Sequence, residues 1–296
     1  MTTSFSCSVI IPSLNSPLIG QVVASVALQS SSAMEIIVVG RDQLGLLQNH
    51  AGCVFLDTDQ PISPAAARNI GARHATGEIL CFLDADCIAD EAWLERLVQH
   101  HRAGAQVVGG GVRFEDQNYW TVADNIVSFA DFLACTAPGL RTHLPSLNWS
   151  IRRTLFHDSG GFDERFPQPA GEDTELSFRL RRMGQRLFFA PEATVRHCPA
   201  RSTAHALWHH LRRFGATYGA IQEQYNPLLG RSLRVRLSHR HPYLVAVLAP
   251  LLAVLDTATT CRHHPCLLRY WYAMPGIVWG RLAWYSGLIF GIERAS

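Results

Sequence analysis

The run Glu78-Ile79-Leu80-Cys81-Phe82-Leu83-Asp84-Ala85-Asp86 constrains this chain more than any other stretch. Residues 79–83 are continuously apolar, the pattern of a strand buried on both faces of a parallel sheet. Two carboxylates follow, Asp84 and Asp86, and side chains two apart on a strand share a face. Such a pair at the end of a buried strand is unfavourable unless a cation or hydrogen bonds compensate it. Ligands of open α/β sheets collect outside the carboxyl ends of strands, and oxygen donors suit hard cations such as Mg²⁺ or Mn²⁺. Two readings follow: a metal and phosphate site, or an acidic turn capping the helix that starts near Glu91.

Around this strand, short apolar runs alternate with amphipathic stretches. Strands are expected at 8–12, 35–39, 53–56, 79–83 and 107–114, with helices at 18–29, 64–75 and 91–101. The alternation predicts an α/β fold with a mostly parallel sheet and helices on both faces. The run Gly109-Gly110-Gly111 inside one of these strands would let a ligand approach the backbone. Further on, a helix is expected at 119–135 and a strand at 144–151. The helix 174–183 ends at Gly184 as a C-cap, and short edge strands follow at 187–190 and 194–197.

The net charge of +2 hides an asymmetry. All 26 basic residues are Arg, and from His197 onward 11 Arg face three acids, so the last third carries +8 and the rest −6. A basic, apolar tail on an acidic front suits an anionic membrane surface. No nucleic-acid module with interleaved aromatics is present, so no nucleic-acid partner is expected. Residues 242–254 are apolar around Pro250, and 271–292 are rich in Trp and Tyr but carry Pro275 and Arg281. An embedded hairpin, helices lying on the surface and a soluble helix pair all remain open. Arg231, Arg234, Arg236 and Arg240 precede the first apolar stretch and assign that flank to the cytoplasmic face of the cell membrane. The amino-terminus shows no basic region ahead of an apolar run, so no signal peptide is expected.

The eight Cys form no CxxC pair and sit mostly in apolar runs, as reduced core cysteines do. The segment Cys261-Arg-His-His-Pro-Cys266 holds zinc-capable residue types without a zinc-ligand spacing. A helix is expected at 205–225, with Trp208, Leu211, Phe214, Tyr218 and Ile221 on one side.

Four features accompany the aspartates. Val9-Ile-Ile-Pro-Ser-Leu-Asn15 runs a strand into a polar loop, a cradle for a nucleotide through Pro12, Ser13 and Asn15. Ala67-Arg-Asn-Ile-Gly-Ala-Arg-His-Ala-Thr-Gly-Glu78 sets Arg68 and Asn69 on the helix leading to the pair. Gly161-Phe-Asp-Glu164 is followed by Gly171-Glu-Asp173, and His197 ends a strand. With Asn148-Trp-Ser-Ile-Arg-Arg153, these motifs over residues 6–225 resemble the family 2 glycosyltransferases of GT-A fold.

The resemblance implies a GT-A domain at 1–225, with residues 226–296 as basic, apolar membrane-associating helices. It implies that Asp84 contacts the ribose and diphosphate of a nucleotide-sugar donor, with Arg68 and Asn69 beside it. Asp86, His197 and Asp84 would hold Mn²⁺ or Mg²⁺. Asp173 would be the general base of an inverting transfer, with Glu172 orienting it or holding the acceptor. Carboxylates at 172–173 would also suit the amino-terminus of the following helix. Trp149 could stack on an acceptor sugar or pack in the core. A UDP-sugar is the expected donor, and a lipid-linked or cell-envelope polysaccharide the acceptor.

The chain departs from the family where acidic residues usually follow the second strand. Val38-Val39-Gly40-Arg41-Asp42 offers only Asp42 to contact the base. It also lacks the Gln-x-x-Arg-Trp signature of processive synthases, which favours single transfers. The alternative is a non-catalytic scaffold or sugar-nucleotide sensor of the same fold at the membrane.

Overall fold

The computed structural model describes residues 5–29, 34–48, 52–115, 118–166, 168–225 and 233–291. Arg231 and Ile292, which figure in the membrane expectations, lie outside them. The chain divides into two compact units, Met1–Arg113 with Phe132–Cys198, and Phe114–Asp131 with Pro199–Ser296. The helix expected at 205–225 is observed at Ala204–Gln224 and belongs to the second unit.

The first unit is built on β1 (Cys7–Leu14), β2 (Met34–Arg41), β3 (Cys53–Asp57), β4 (Ile79–Leu83), β5 (Cys87–Ala89), β6 (Val107–Arg113), β7 (Gly139–Arg141), β8 (Asn148–Arg152) and β9 (Leu187–His197). They form one sheet in the order β3-β2-β1-β4-β8-β6-β9-β5, with β7 also on β9. The half from β3 to β4 is all parallel, as expected of a nucleotide-binding sheet. The other half is mixed: β8 runs antiparallel to β4 and β6, while β6 and β9 are parallel. Every residue of β4 is buried, because neighbours flank it on both edges and helices or loops cover its faces.

Two expectations change here. The stretches at 187–190 and 194–197 are not short edge strands. They are one eleven-residue strand between β6 and β5. Pro191 and Glu192 interrupt its apolar pattern where the β6 register shifts, a place that tolerates proline. The glycine run of β6 does not admit a ligand. A Cβ on Gly110 would fall 2.1 Å from the Ala193 carbonyl oxygen, and one on Gly111 2.2 Å from that of Pro191. The space is taken by β9 itself.

Helices α1 (Ile19–Ala27), α2 (Pro64–His74), α3 (Trp93–Arg102), α5 (Arg153–Asp158) and α6 (Glu172–Arg182) complete this unit. The start of α2 is fixed by Ser63, whose hydroxyl accepts from the Ala66 amide at 3.2 Å, and by Pro64 in the first turn. Its buried side is made of Ala65, Ala67, Gly71 and Ala72, small residues that let the helix lie close on the sheet. A Cβ on Gly71 would sit 2.4 Å from the Ile10 Cγ2. That closeness brings Arg68 under the strand ends.

The second unit holds α4 (Tyr119–Phe129), α7 (Ala204–Gln224), α8 (Leu233–Arg240), α9 (Pro242–His263) and α10 (Met274–Phe290). The buried side of α7 is Leu207, Leu211, Gly215 and Gly219, a four-residue repeat. Trp208, Phe214 and Tyr218 from the expected stripe are only half-buried. Glycines carry the contact with α10, since a Cβ on Gly215 would meet the Trp284 carbonyl oxygen at 1.9 Å and one on Gly287 that of Arg212 at 1.8 Å. Small residues four apart that allow backbones to touch are the packing device of helices in lipid. Gly287→Ala should force the helices apart and cost at least the roughly 1–3 kcal/mol of ordinary overpacking. Thermal unfolding followed by circular dichroism measures it, and a wild-type midpoint would contradict this packing.

Of the two apolar stretches, residues 242–254 extend into α9, a 22-residue helix that runs through Pro250. Among the described residues it is the one helix long and apolar enough to cross a membrane. The second stretch is broken into a 3-10 segment, Pro265–Ala273, and the 17-residue α10. Buried Asp256 pins α9 to its neighbours. It accepts two hydrogen bonds from Arg234 at 2.7 and 2.5 Å and one from the Tyr285 hydroxyl at 2.7 Å.

Candidate active site

The chain leaves the sheet immediately after β4. The Asp84 amide donates to the Leu147 carbonyl at 3.2 Å and the Cys87 amide to the Asp84 carbonyl at 3.0 Å, closing a turn that presents both aspartates. The amino-terminus of α3 has no side-chain cap, so these carboxylates do not serve the next helix. The capping alternative is thereby removed. Side chains of Asp84 and Asp86 each keep 32% of their surface exposed.

Arg68 ties the turn to a second acidic element. From a buried position on α2 its guanidinium donates to Asp84 at 2.6 Å and to Glu172 at 2.9 Å. One rigid fork thus joins the end of β4 to the first turn of α6. Burial works against the charge of Arg68, but Asp84 and then Glu172 more than offset it, so it stays protonated. The bridge does not make its acids stronger. Burial raises the Asp84 carboxyl, Arg68 pulls it back, and Asp86 pushes it up again. Burial and then the charge of Asp173 push Glu172 up to about 7, against the pull of Arg68.

The Glu172 shift has a sign that can be measured. A carboxyl raised in the folded state contributes stability that is full below its unfolded value and lost as pH rises through the folded one. Between roughly pH 4.3 and 7 this group therefore weakens the fold as pH increases. Glu172→Gln should gain stability relative to wild type over that interval. Denaturant unfolding at its two ends tests this, and a pH-independent difference would refute the account.

Asp173 is half-buried. Its Oδ2 accepts from the Ser146 amide at 3.1 Å and its Oδ1 from the Thr174 amide at 2.6 Å and the Thr174 hydroxyl at 3.3 Å. A carboxylate offers about four acceptor positions, so it is held in place with capacity left for a further proton donor. The left-handed Gly171, at φ +93°, starts α6 and turns both acids toward Arg68 and Ser146.

On the other side of the turn, β5 pairs with the end of β9 and carries Asp86 to His197. The imidazole Nε2 lies 3.5 Å from Asp86 Oδ2, and His197 is buried. A carboxylate oxygen and an imidazole nitrogen at this separation suit one divalent cation, and the open side of Asp86 gives it access. Cys87, not singled out in the sequence, lies beside them with its thiol 3.6 Å from Asp86 Oδ1. Burial and then the charges of Asp86 and Asp84 push that thiol well up. Its adjacency to Asp86 was the available signal.

Other residues fall into place unevenly. Ser13, next to last in β1, has a buried hydroxyl oxygen without a protein partner, as a cradle for a ligand would leave it. Pro12 precedes it, and Gly40 beside it is obligatory, because a Cβ there would meet the Ser13 carbonyl oxygen at 1.9 Å. Asn15, at φ +55°, uses its side chain on Gln43, accepting from the amide at 2.8 Å and donating to the side chain at 3.1 Å. Asp42 closes the turn after β2, accepting from the Leu46 and Leu47 amides at 3.1 and 2.8 Å. Arg41, in the departing segment, pairs with Asp57 on β3 at 3.5 Å.

Two assignments need correction. Asn69 exchanges two hydrogen bonds with the Phe162 backbone, at 2.8 and 2.9 Å, and donates to Glu164 at 2.9 Å. Its amide clamps the Gly160–Glu164 loop and is not left for a donor. Trp149 is fully buried, with Phe82 and Phe162 against its ring at 6.2 and 5.6 Å between centroids. It is a core residue with no face for a sugar.

This arrangement has relatives. The model of glycosyl transferase family 2 matches residues 8–160, just over half of the chain. The chain belongs to glycosyl transferase family 2. A curated relative, glycosyltransferase AglE of Haloferax volcanii, is 32% identical over 169 residues, covering 57% of this chain and 54% of that protein. The chain spans about half the length of this relative. The likeness in fold extends further along the chain. Mannosyltransferase PcManGT from Pyrobaculum calidifontis, solved with GDP-Man and Mn²⁺, superposes with a TM-score of 0.66 at 19% identity, over 99% of this chain and 89% of that one. GalNAc-T7, solved with UDP, GalNAc and Mn²⁺, gives 0.55 at 17% identity, over 76% of this chain and 55% of that one. The fold is GT-A.

Proposed function

We propose that this family 2 member is an inverting, metal-dependent glycosyltransferase that moves one sugar at a time from a nucleoside diphosphate sugar to a lipid-linked or cell-envelope glycan. The observation that carries the reading is the Arg68 bridge. It joins the acidic turn of α6 to the Asp84 turn, which supports donor and acceptor chemistry side by side. Support for the donor class and the ion comes from PcManGT and GalNAc-T7, whose structures hold Mn²⁺ with GDP-Man and UDP respectively.

Each residue then has a task. Ser13 offers its free hydroxyl to the nucleoside, and Asp84 takes the ribose hydroxyls. Asp86 and His197 are the ligands for a divalent cation, which would neutralise charge developing on the diphosphate leaving group. Asp173 accepts the proton of the acceptor hydroxyl as it attacks the anomeric carbon from the face opposite the diphosphate. Glu172 and Arg68 hold that base at its distance from the donor. No second carboxylic acid is required, because the leaving group is a diphosphate and not an alkoxide.

A thermal-shift screen of UDP- and GDP-sugars with Mn²⁺ tests the donor assignment. One nucleotide should raise the midpoint in wild type and not in Asp86→Ala, through preferential binding to the folded state. No shift with any nucleotide sugar would remove the assignment.

The membrane part of the proposal is supported by the outward side of α9, where Tyr243, Leu244, Val247, Leu251, Val254 and Leu255 are all exposed. Arg236 and Arg240 are exposed on α8 immediately before it. Apolar side chains flanked by cations suit the interface of an anionic bilayer. The double variant Val247→Asp, Leu251→Asp should reduce co-sedimentation with phosphatidylserine vesicles. Undiminished binding would contradict this placement.

A further inference from the structure

The register of β5 on β9 sets Cys87 directly opposite His197. Directly opposed residues of an antiparallel pair project from the same face, so the thiol and the imidazole leave the sheet together. Asp86 joins them from the preceding position. Its two oxygens are 3.6 Å from the Cys87 sulfur and 3.5 Å from His197 Nε2, and the ligand atoms of all three residues lie within 4.8 Å of one another. Ligand atoms around a tetrahedral cation with bonds of about 2.0–2.3 Å are roughly 3.3–3.8 Å apart. The two measured separations run to different Asp86 oxygens, so a turn of the carboxylate and small side-chain movements are what bring one oxygen, the sulfur and the nitrogen to these distances. Cys87 and His197 are buried while Asp86 is partly open. That is the form of a site with three protein ligands and an accessible further position.

We propose that Cys87 is a protein ligand of the cation at this site, together with Asp86 and His197. The oxygen, nitrogen and sulfur donors then favour a borderline first-row ion such as Co²⁺ or Zn²⁺ over hard Mg²⁺. The inference takes from the proposed function only that a divalent cation binds here. Its chemical basis is the sulfur. Mg²⁺ is a hard ion that takes oxygen ligands, whereas thiolate and imidazole favour softer first-row metals. Coordination is through the thiolate, so the thiol proton passes to solvent as the metal enters. The neighbouring Cys198 donates its amide to the Asp86 carbonyl at 2.8 Å and has its sulfur on the Arg196 carbonyl oxygen at 3.7 Å, which makes it the control position.

Titration of the full chain with Co²⁺, followed by absorption, separates the outcomes. Wild type should develop d–d bands together with a near-ultraviolet sulfur-to-cobalt charge-transfer band. The charge-transfer band should vanish in Cys87→Ser and in Asp86→Ala and persist in Cys198→Ser. Excess Zn²⁺ should displace the cobalt and excess Mg²⁺ should not. The Cys87→Ser protein should bind Zn²⁺ at least about tenfold more weakly. Suppose instead that d–d bands depend on Asp86 and His197 but no charge-transfer band appears, or that it survives Cys87→Ser. The cation site then stands and the sulfur ligand falls. Absence of any Asp86-dependent Co²⁺ binding in wild type would remove both. The wild-type spectrum and Asp86→Ala, altered at a half-exposed position, keep the test decisive even if Cys87→Ser fails to fold.

Discussion

Asp173→Asn should lower the turnover of sugar transfer by about 10²- to 10⁴-fold, the usual worth of a positioned general base. The affinity for the nucleotide sugar should stay close to wild type. The split follows from the position of Asp173. Its carboxylate is fixed by the Ser146 and Thr174 amides and has no hydrogen bond to Asp84, Asp86 or His197. Asparagine has the same shape and keeps one carbonyl oxygen to accept an amide, but it cannot take a proton from an attacking hydroxyl. The expected signature is a fall in kcat with an unchanged donor KM. Steady-state kinetics against donor concentration measure both quantities. An unchanged kcat would move the base elsewhere, and a raised KM alone would make Asp173 a binding residue.

Arg68→Met should be the most damaging single change to the first unit, costing about 3–5 kcal/mol. Removing one partner of a buried ion pair leaves the other charge uncompensated. Here Glu172 is almost fully buried, and Asp84 loses its 2.6 Å partner as well. Methionine fills much of the volume, so the loss reports the charge and not a cavity. The guanidinium also lies 5.4 Å from the centre of the Phe162 ring, packing that methionine retains in part. Arg68→Lys should rescue little, because an ammonium is a point charge that cannot bridge two carboxylates as a planar fork does. Chemical denaturation gives the stability, and donor KM gives the effect on the Asp84 turn. A loss below about 1 kcal/mol would place this pair among ordinary surface ion pairs.

What could be read from the sequence depended on how local its cause was. The strand Ile79–Leu83 is apolar because it is buried on both sides, and its bounds were legible to the residue. Asp84, Asp86 and Arg68 were legible because they lie within one strand–helix unit. His197 could be placed only through the family resemblance, since its neighbour Asp86 is more than a hundred residues away. Other features depend on partners distant in sequence. Pro191 and Glu192 hid the continuity of β9, and the three residues of β5 are too few to show any period. The burial of Trp149 is decided by Phe82 and Phe162, and a tryptophan beside a polar loop gives no sign of that. The glycines of β6 and α7 signal a close approach but not what approaches, and in both cases it was another piece of the chain.

The central claim is that the Asp84–Asp86–His197 turn and Asp173 form one active site for nucleotide-sugar chemistry. Release of nucleoside diphosphate from the donor found by thermal shift, measured with and without Mn²⁺ and an acceptor glycan, tests it most directly. Wild type should release nucleotide only with the metal, faster with acceptor, while Asp86→Ala and Asp173→Asn are both strongly impaired and only Asp86→Ala loses donor binding. Equal metal-dependent release by all three proteins would contradict the account.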